Sequence, residues 1–298
     1  MFFIANTGIL SNSEVNRVLN RAYDSSTTYT VPSVSEIGSD STAATTSDSS
    51  LYNRIPHTRT SIDECNAIAG WTHEGDGQQV VLNETEGDFR EGTGCLNTPV
   101  TYVGGTAGWY KTVGAVNVSG KFVGMFFYIS SKTNLTSSNS AVRLTLGTGG
   151  FVNTNYYDFA DTAISVGWNF LIITVDSPTG TSGSGATETN IDRIKITVRT
   201  TGDYTGTQLR MDEWWYATEA NFERSLTAGY PSFDALNKIA TMRFDYTATE
   251  ANGFDIGEQK ADNTDASAIQ AWRVSHNTFT KSSLYEVAYI IRIQGNAQ

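Results

Sequence analysis

The chain has 298 residues and a net charge of −11, from 20 Lys+Arg against 31 Asp+Glu. It therefore lacks the basic surplus that phosphate contacts demand, which excludes nucleic acid as a partner. No run of about 18 apolar residues occurs, so no membrane insertion is expected, and two cysteines are too few for a disulfide scaffold. Only 17% of residues are charged, while 40 Thr, 28 Ser and 27 Gly supply polarity without charge beside 11% aromatics, a mixture that suits half-buried pleated strands rather than helical bundles.

The opening MFFIANTGILSNSE has a short apolar stretch and no basic flank, so it does not read as a secretory signal. Ser11 and Glu14 have capping-box spacing, and Val15, Val18, Leu19 and Ala22 follow at helical intervals; together they predict a helix that stops near residues 23–25. Residues 33–50, SVSEIGSDSTAATTSDSS, carry only Val34 and Ile37 as a short apolar pulse and read as an extended loop laid over a surface.

From residue 61 the pattern changes to short apolar or alternating runs. Strands are expected at 79–83, 94–102, 107–113, 122–129, 141–146, 156–159, 169–175, 193–199 and 208–216, separated by turn signals such as Gly104-Gly105, 147–150 and 179–187. Short strands at this spacing, without crossover helices, predict an antiparallel sandwich and a mainly β chain. Beyond Tyr216 the pattern loosens. It then gives an alternating run at 239–246, a turn at Asn252-Gly253, a polar loop at 260–267 and strands near 272–275 and 287–293. Neither end is long enough to bury much surface alone. Residues 1–60 and 219–298 are therefore expected to form one small, discontinuous α+β or β domain, with 61–218 inserted into it.

Chemistry-bearing patterns are sparse. His57, His73 and His276 sit in polar surroundings, and no HExxH, GxSxG, P-loop or CxxC occurs. Acidic pairs (Asp63-Glu64, Glu84/Glu86, Asp212-Glu213) arise by chance in so acidic a chain, so no enzyme is expected. Cys65 and Cys95 either pair or stand as two buried thiols, and free thiols are the favoured reading. Trp109-Tyr110, Tyr156-Tyr157 and Trp214-Trp215 lie in expected strands, where neighbours point to opposite faces. One member of each pair should then be exposed or covered by a loop or a neighbouring subunit, and an exposed ring can stack on a sugar. These six are the candidate carbohydrate-binding residues. Trp71 and Trp168, each after a glycine, read as core. Glu64, Glu91 and Asp212 sit on the first strand, a turn and the last strand of the block and could converge on calcium, which takes six to eight oxygens.

The middle block resembles the jelly-roll type of carbohydrate-binding module. The resemblance lies in DECNAIAGW (63–71), EGTGCLN (91–97), KFVGMFFYIS (121–130), GWNFLIITV (167–175), IDRIKITV (191–198) and LRMDEWWY (209–216). It implies a jelly-roll β-sandwich and one structural Ca2+ held by Glu64, Glu91 and Asp212, and it makes Trp71 a core residue. The flanks resemble structural proteins of tailed phages, through IGSDSTAATTSDSSLYNRI (37–55), a hairpin at TATEANGFDIGEQ (247–259) and SHNTFTKSSLYEVAYIIRI (275–293). This second resemblance implies a non-enzymatic virion structural protein located on the particle surface. The joined ends would anchor to head, neck or tail proteins, as a homo-oligomer in the particle, and the jelly roll would decorate the particle or bind host-surface glycan. The alternatives are a purely architectural adaptor or decoration protein without a ligand, and a polysaccharide-degrading enzyme.

Overall fold

The computed structural model describes residues 9–10, 32–41, 51, 53–100, 105–204, 207–234, 239–262, 270–284 and 286–294. The helix expected after Ser11, the stretch 42–50 and most of the expected polar loop at 260–267 lie outside the described residues. The molecule is mainly β, and every strand pair is antiparallel. No helix among the described residues is long and apolar enough to cross a membrane. The chain divides into two compact units, one of residues 59–218 and one of 1–58 with 219–298.

The 59–218 unit is a sandwich of two sheets. The first runs Gly180–Ser182, Asn153–Phe159, Val142–Thr148, Ile191–Arg199, Thr106–Val116, Trp71–Gly75. The second runs Gly167–Thr174, Phe122–Ile129, Leu209–Ala217, Cys95–Asn97, Val81–Asn83, with Thr60–Asp63 also on Leu209–Ala217. Alternation drives the assembly, because each strand sends every second side chain inward. Val123, Met125, Phe127 and Ile129 of one sheet meet Leu144, Leu146, Ile194, Ile196 and Val198 of the other in one apolar cluster. Trp71, 4% exposed, belongs to that cluster, as expected. The strand Trp71–Gly75 is an addition to the expected set, since only its first residue is buried and it has no alternation to read.

The terminal unit holds a sheet ordered Ile9–Leu10, Gln270–Thr280, Asp255–Asp262, Val34–Gly38, Arg224–Ser225, with Arg54–Ile55 also on Val34–Gly38. A three-stranded sheet of Ser232–Asp234, Ile239–Tyr246 and Val287–Gln294 completes it. Bonds from the Tyr246 hydroxyl to Ser35 and between His276 Nε2 and the Tyr289 hydroxyl (2.8 Å) tie the two sheets together.

Three expectations are corrected in this unit. Val34–Gly38 is no surface loop but a fully buried strand lying between Asp255–Asp262 and its other partners. Lys260 and Asp262 end a buried strand rather than open a loop. The segment around Asn252-Gly253 turns with Ala251 and Gly253 at positive φ (54° and 80°), but it does not close a hairpin. The strands on either side of it, Ile239–Tyr246 and Asp255–Asp262, belong to different sheets.

Candidate functional site

Register on the outer face of the first sheet brings distant residues into one row. Thr72 lies beside Tyr110, Tyr110 beside Lys195, Lys195 beside Thr145, Thr145 beside Tyr156 and Tyr156 beside Gly180. The adjoining row holds Glu74, Gly108, Thr197, Arg143 and Asp158. Adjacent strands are about 4.8 Å apart, so Tyr110 and Tyr156 stand roughly 14 Å from each other.

The floor of this face is shaped by glycine and threonine. A Cβ at Gly180 would meet the Tyr156 hydroxyl at 2.2 Å, so Tyr156 lies directly over Gly180 and any side chain there would push its ring aside. Gly149, Gly150 and Phe151 turn through positive φ (63°, 72°, 68°) and fold Phe151 back over Gly147, whose Cβ would meet its ring at 2.4 Å. A non-glycine residue in that region is strained by about 1–2 kcal/mol, which this turn accepts in order to seat an aromatic ring on the sheet. Phe151 meets Tyr110 edge-on at 5.6 Å.

Cations cover the rings. The Arg143 guanidinium sits 3.8 Å over Tyr156 and donates two bonds to Asp158 (2.6 and 2.8 Å). Lys195 lies 4.8 Å over Phe151 and bonds Glu74 at 3.0 Å. The Arg199 guanidinium donates to Ser140. Around these groups is an open cleft of about 360 Å³, lined by Arg143, Lys195, Arg199, Phe151, Tyr156 and threonine hydroxyls.

Of the six expected carbohydrate-binding residues, Tyr110 and Tyr156 both lie on this face, three strands apart, and are half-buried; of the two, Tyr156 lines the cleft. The other four are corrected. Trp109 is fully buried and donates to the Gln78 carbonyl (2.8 Å). Tyr157 points inward to the Val175 carbonyl (2.6 Å), and burial pushes its hydroxyl pKa well up. Trp214 lies in the apolar cluster. At Glu213, φ is 34° and a bulge interrupts the pairing of its strand, after which Trp215 faces the opposite side, over Gly124 and 6.2 Å from Phe170. Trp214 and Trp215 are both 0% exposed. The two faces are therefore as alternation requires, but neither indole reaches the surface. Trp168, expected in the core, is half-buried and lies edge-on to Tyr128 at 5.4 Å on the outer face of the second sheet.

The expected calcium ligands do not form a set. Glu64 accepts from Asn66 at 2.7 Å. Asp212 is wholly buried and accepts the backbone N–H groups of Arg90 and Glu91 (2.7 and 3.0 Å). The Arg59 guanidinium bridges Glu213 (2.6 Å) and Glu91 (3.2 Å), so a side-chain cation already neutralises these acids. Among the described residues no group of three or more His, Cys, Asp or Glu side chains is arranged for a metal. Six to eight oxygens are not gathered at one point among these described residues. Cys65 and Cys95 are buried free thiols.

No family model matches the chain, and no curated protein matches it by sequence. Its structure is similar to several solved ones. A family 11 carbohydrate-binding module from Clostridium thermocellum, in complex with a β-1,3-1,4-mixed-linked tetrasaccharide, matches at 12% identity and a TM-score of 0.36, over 54% of this chain and 95% of that one. A structure described for the promiscuous specificity of carbohydrate-binding modules of the β-sandwich superfamily matches at 16% identity and a TM-score of 0.33, over 50% of this chain and 58% of that one. A Stig cyclase from Fischerella sp. TAU matches at 11% identity and a TM-score of 0.31, over 53% of this chain and 97% of that one.

Proposed function

We propose that the 59–218 unit is a non-catalytic glycan-binding module, and that its ligand lies in the cleft on the outer face of the first sheet. The observation that carries this is the shared row of Tyr110, Lys195, Thr145 and Tyr156, with Phe151 folded onto the same face. Rings, hydroxyls and fixed charges in one open cleft suit a ligand with apolar C–H faces and many hydroxyls, and the cleft volume falls within the range of small-molecule sites. A binding role rather than hydrolysis is favoured by the carboxylates of Glu74 and Asp158, each held in an ion pair with Lys195 or Arg143.

We further propose that the protein is a structural component of a tailed-phage virion, anchored by its terminal unit to head, neck or tail proteins. Support comes from the sequence resemblance of residues 37–55, 247–259 and 275–293. Many identical modules on one particle would gain avidity without strong single-site affinity. Detection of the chain in purified particles, and its position in a particle map, tests this part.

The binding half is tested by a glycan array with the full chain. Replacing both Tyr110 and Tyr156 by Ala should weaken any captured glycan by about tenfold or more, equivalent to about 1.4 kcal/mol or more, with the circular dichroism spectrum unchanged. A uniformly flat array from folded protein would leave only an architectural role.

A further inference from the structure

The strand Ile191–Arg199 reads IDRIKITVR, and its Ile194, Ile196 and Val198 lie in the apolar cluster. Alternation therefore sends Arg193, Lys195 and Arg199 to the outer face, on an interior strand of the first sheet. Arg143 joins them from the neighbouring strand, beside Thr197. Arg143, Lys195 and Arg199 all line the cleft, where Glu74 is the one acid among the described lining residues. A chain with a net charge of −11 thus gathers positive charge at this one place.

The three cations are not equally committed. Arg143 places Nε and one terminal nitrogen on Asp158 (2.6 and 2.8 Å), and Lys195 is held by Glu74 at 3.0 Å. Arg199 is held through one terminal nitrogen only, by the neutral hydroxyl of Ser140. Among the described residues no carboxylate pairs with it, and its Nε and other terminal nitrogen have no acceptor. That edge of a guanidinium is a planar fork that matches a carboxylate through two parallel bonds. Arg199 is also half-buried, so water screens its charge less than it would on an open surface. The aromatic rings add to the bias. Arg143 lies over Tyr156 and Lys195 over Phe151, so a ligand that reaches either ring comes within range of a fixed cation.

We propose that the cleft selects an acidic oligosaccharide of the uronate class, with a ring carboxylate seated on the open edge of Arg199. This rests on the glycan-binding reading of the cleft and adds to it the charge of the ligand. Once Asp158 and Glu74 are set against Arg143 and Lys195, one positive charge is left over, which suits a singly charged carboxylate. Arg199 and Tyr156 stand two strands and four register positions apart, roughly 16 Å, a span that suits a chain of sugars. Thr145 and Thr197 lie between them on the cleft floor and offer hydroxyls to such a chain.

The test uses the full chain on an array that carries matched neutral and uronate-containing oligosaccharides. The best acidic binder is then titrated calorimetrically beside its methyl ester, which keeps the backbone and removes the charge. Esterification and Arg199→Gln should each weaken binding by about tenfold or more. Raising salt from about 0.05 to about 0.5 M should lower the affinity for the acid and not for the ester. Arg199→Lys keeps the charge without the fork, so its affinity should fall between those of the wild type and Arg199→Gln. Both variants should melt with the wild type, since the side chain gives up only a bond to a hydroxyl. Capture of neutral glycans alone, or of acidic ones whose affinity ignores esterification, overturns the acidic selectivity and leaves the glycan-binding cleft standing. Equal binding of the acid by wild type and Arg199→Gln overturns the seat on Arg199. A uniformly flat array from folded protein overturns both readings.

Discussion

The two units of this chain solve the problem of a β interior in opposite ways. The 59–218 sandwich encloses an almost wholly apolar cluster, from Val123 and Met125 to Ile196 and Val198. The terminal unit buries charge. Glu36, Glu258, Lys260, Asp262, Arg273 and Lys281 are all at most 8% exposed, and Glu258, Arg273 and Lys281 are at 0%. Lys260 pairs with both Glu36 (3.4 Å) and Asp262 (2.9 Å), and Arg273 bonds Glu258 at 2.7 Å. Apolar packing tolerates exchange of one hydrophobe for another, whereas a buried ion network requires every partner in place. The first unit is thus defined by pattern and the second by particular residues.

The largest expected effect tests that contrast directly. Glu258 accepts from Arg273 and from the Asn53 N–H (3.2 Å), over Gly38, where a Cβ would lie 2.3 Å from its carboxylate. Glu258→Ala leaves a buried guanidinium without its carboxylate and should cost about 3–5 kcal/mol in chemical denaturation. Replacing both partners by apolar residues, Glu258→Leu with Arg273→Met, should recover most of that loss. If the single variant loses under 1 kcal/mol, the ion network does not define this unit.

The same contrast explains what could be read from sequence. The strands at Phe122–Ile129 and Ile239–Tyr246 were expected with both boundaries as observed, because their apolar residues alternate or run continuously. Val34–Gly38 (VSEIG) and Asp255–Asp262 (DIGEQKAD) look like loop sequence because charge fills their buried positions, and only the cross-strand partner reveals the pairing. On the outer face of the first sheet, alternation placed one member of Trp109-Tyr110 and one of Tyr156-Tyr157 outward. Which strands lie side by side is a property of register, so Arg143, Lys195 and Phe151 could not be joined to Tyr110 and Tyr156 beforehand. Trp214 and Trp215 take opposite faces as alternation requires, but alternation alone does not tell a covered ring from an exposed one, and Trp215 is covered over Gly124.

The apolar unit also contains a buried carboxyl, Asp212, whose charge should destabilise it. Burial pushes the Asp212 carboxyl up to about 7, against the lowering effect of the Arg90 and Glu91 N–H groups. An acid whose pKa is raised on folding contributes stability that is complete below its unfolded pKa of about 3.9 and is lost as pH climbs through the folded value. Ionising it at pH 8 should cost roughly 2–4 kcal/mol. Asp212→Asn retains an oxygen for the two N–H groups and should therefore be more stable than the wild type at pH 8, with the gap closing towards pH 4.5. Parallel melting curves of the two proteins across that range would show instead that Asp212 carries no such penalty.

The smallest effect concerns the cation. Arg59 has a side chain only 9% exposed and holds Glu213 and Glu91, in a unit where most buried side chains carry no charge. The Glu213 pKa is raised by burial first, with Arg59 opposing that rise and the charges of Glu91 and Glu64 adding to it. Arg59→Gln should then cost about 1–3 kcal/mol, because Glu213 keeps its desolvation without its counter-charge. Excess chelator should leave the melting temperature of the wild type unmoved, since a ligand raises stability only in proportion to its binding of the native state. A chelator-dependent drop, restored by added calcium, would show that the acids around Arg59 can be drawn into a metal site after all. An unmoved wild type beside a weakened Arg59→Gln would place a fixed guanidinium in the charge-balancing role, so that even the apolar unit depends on one named ion pair.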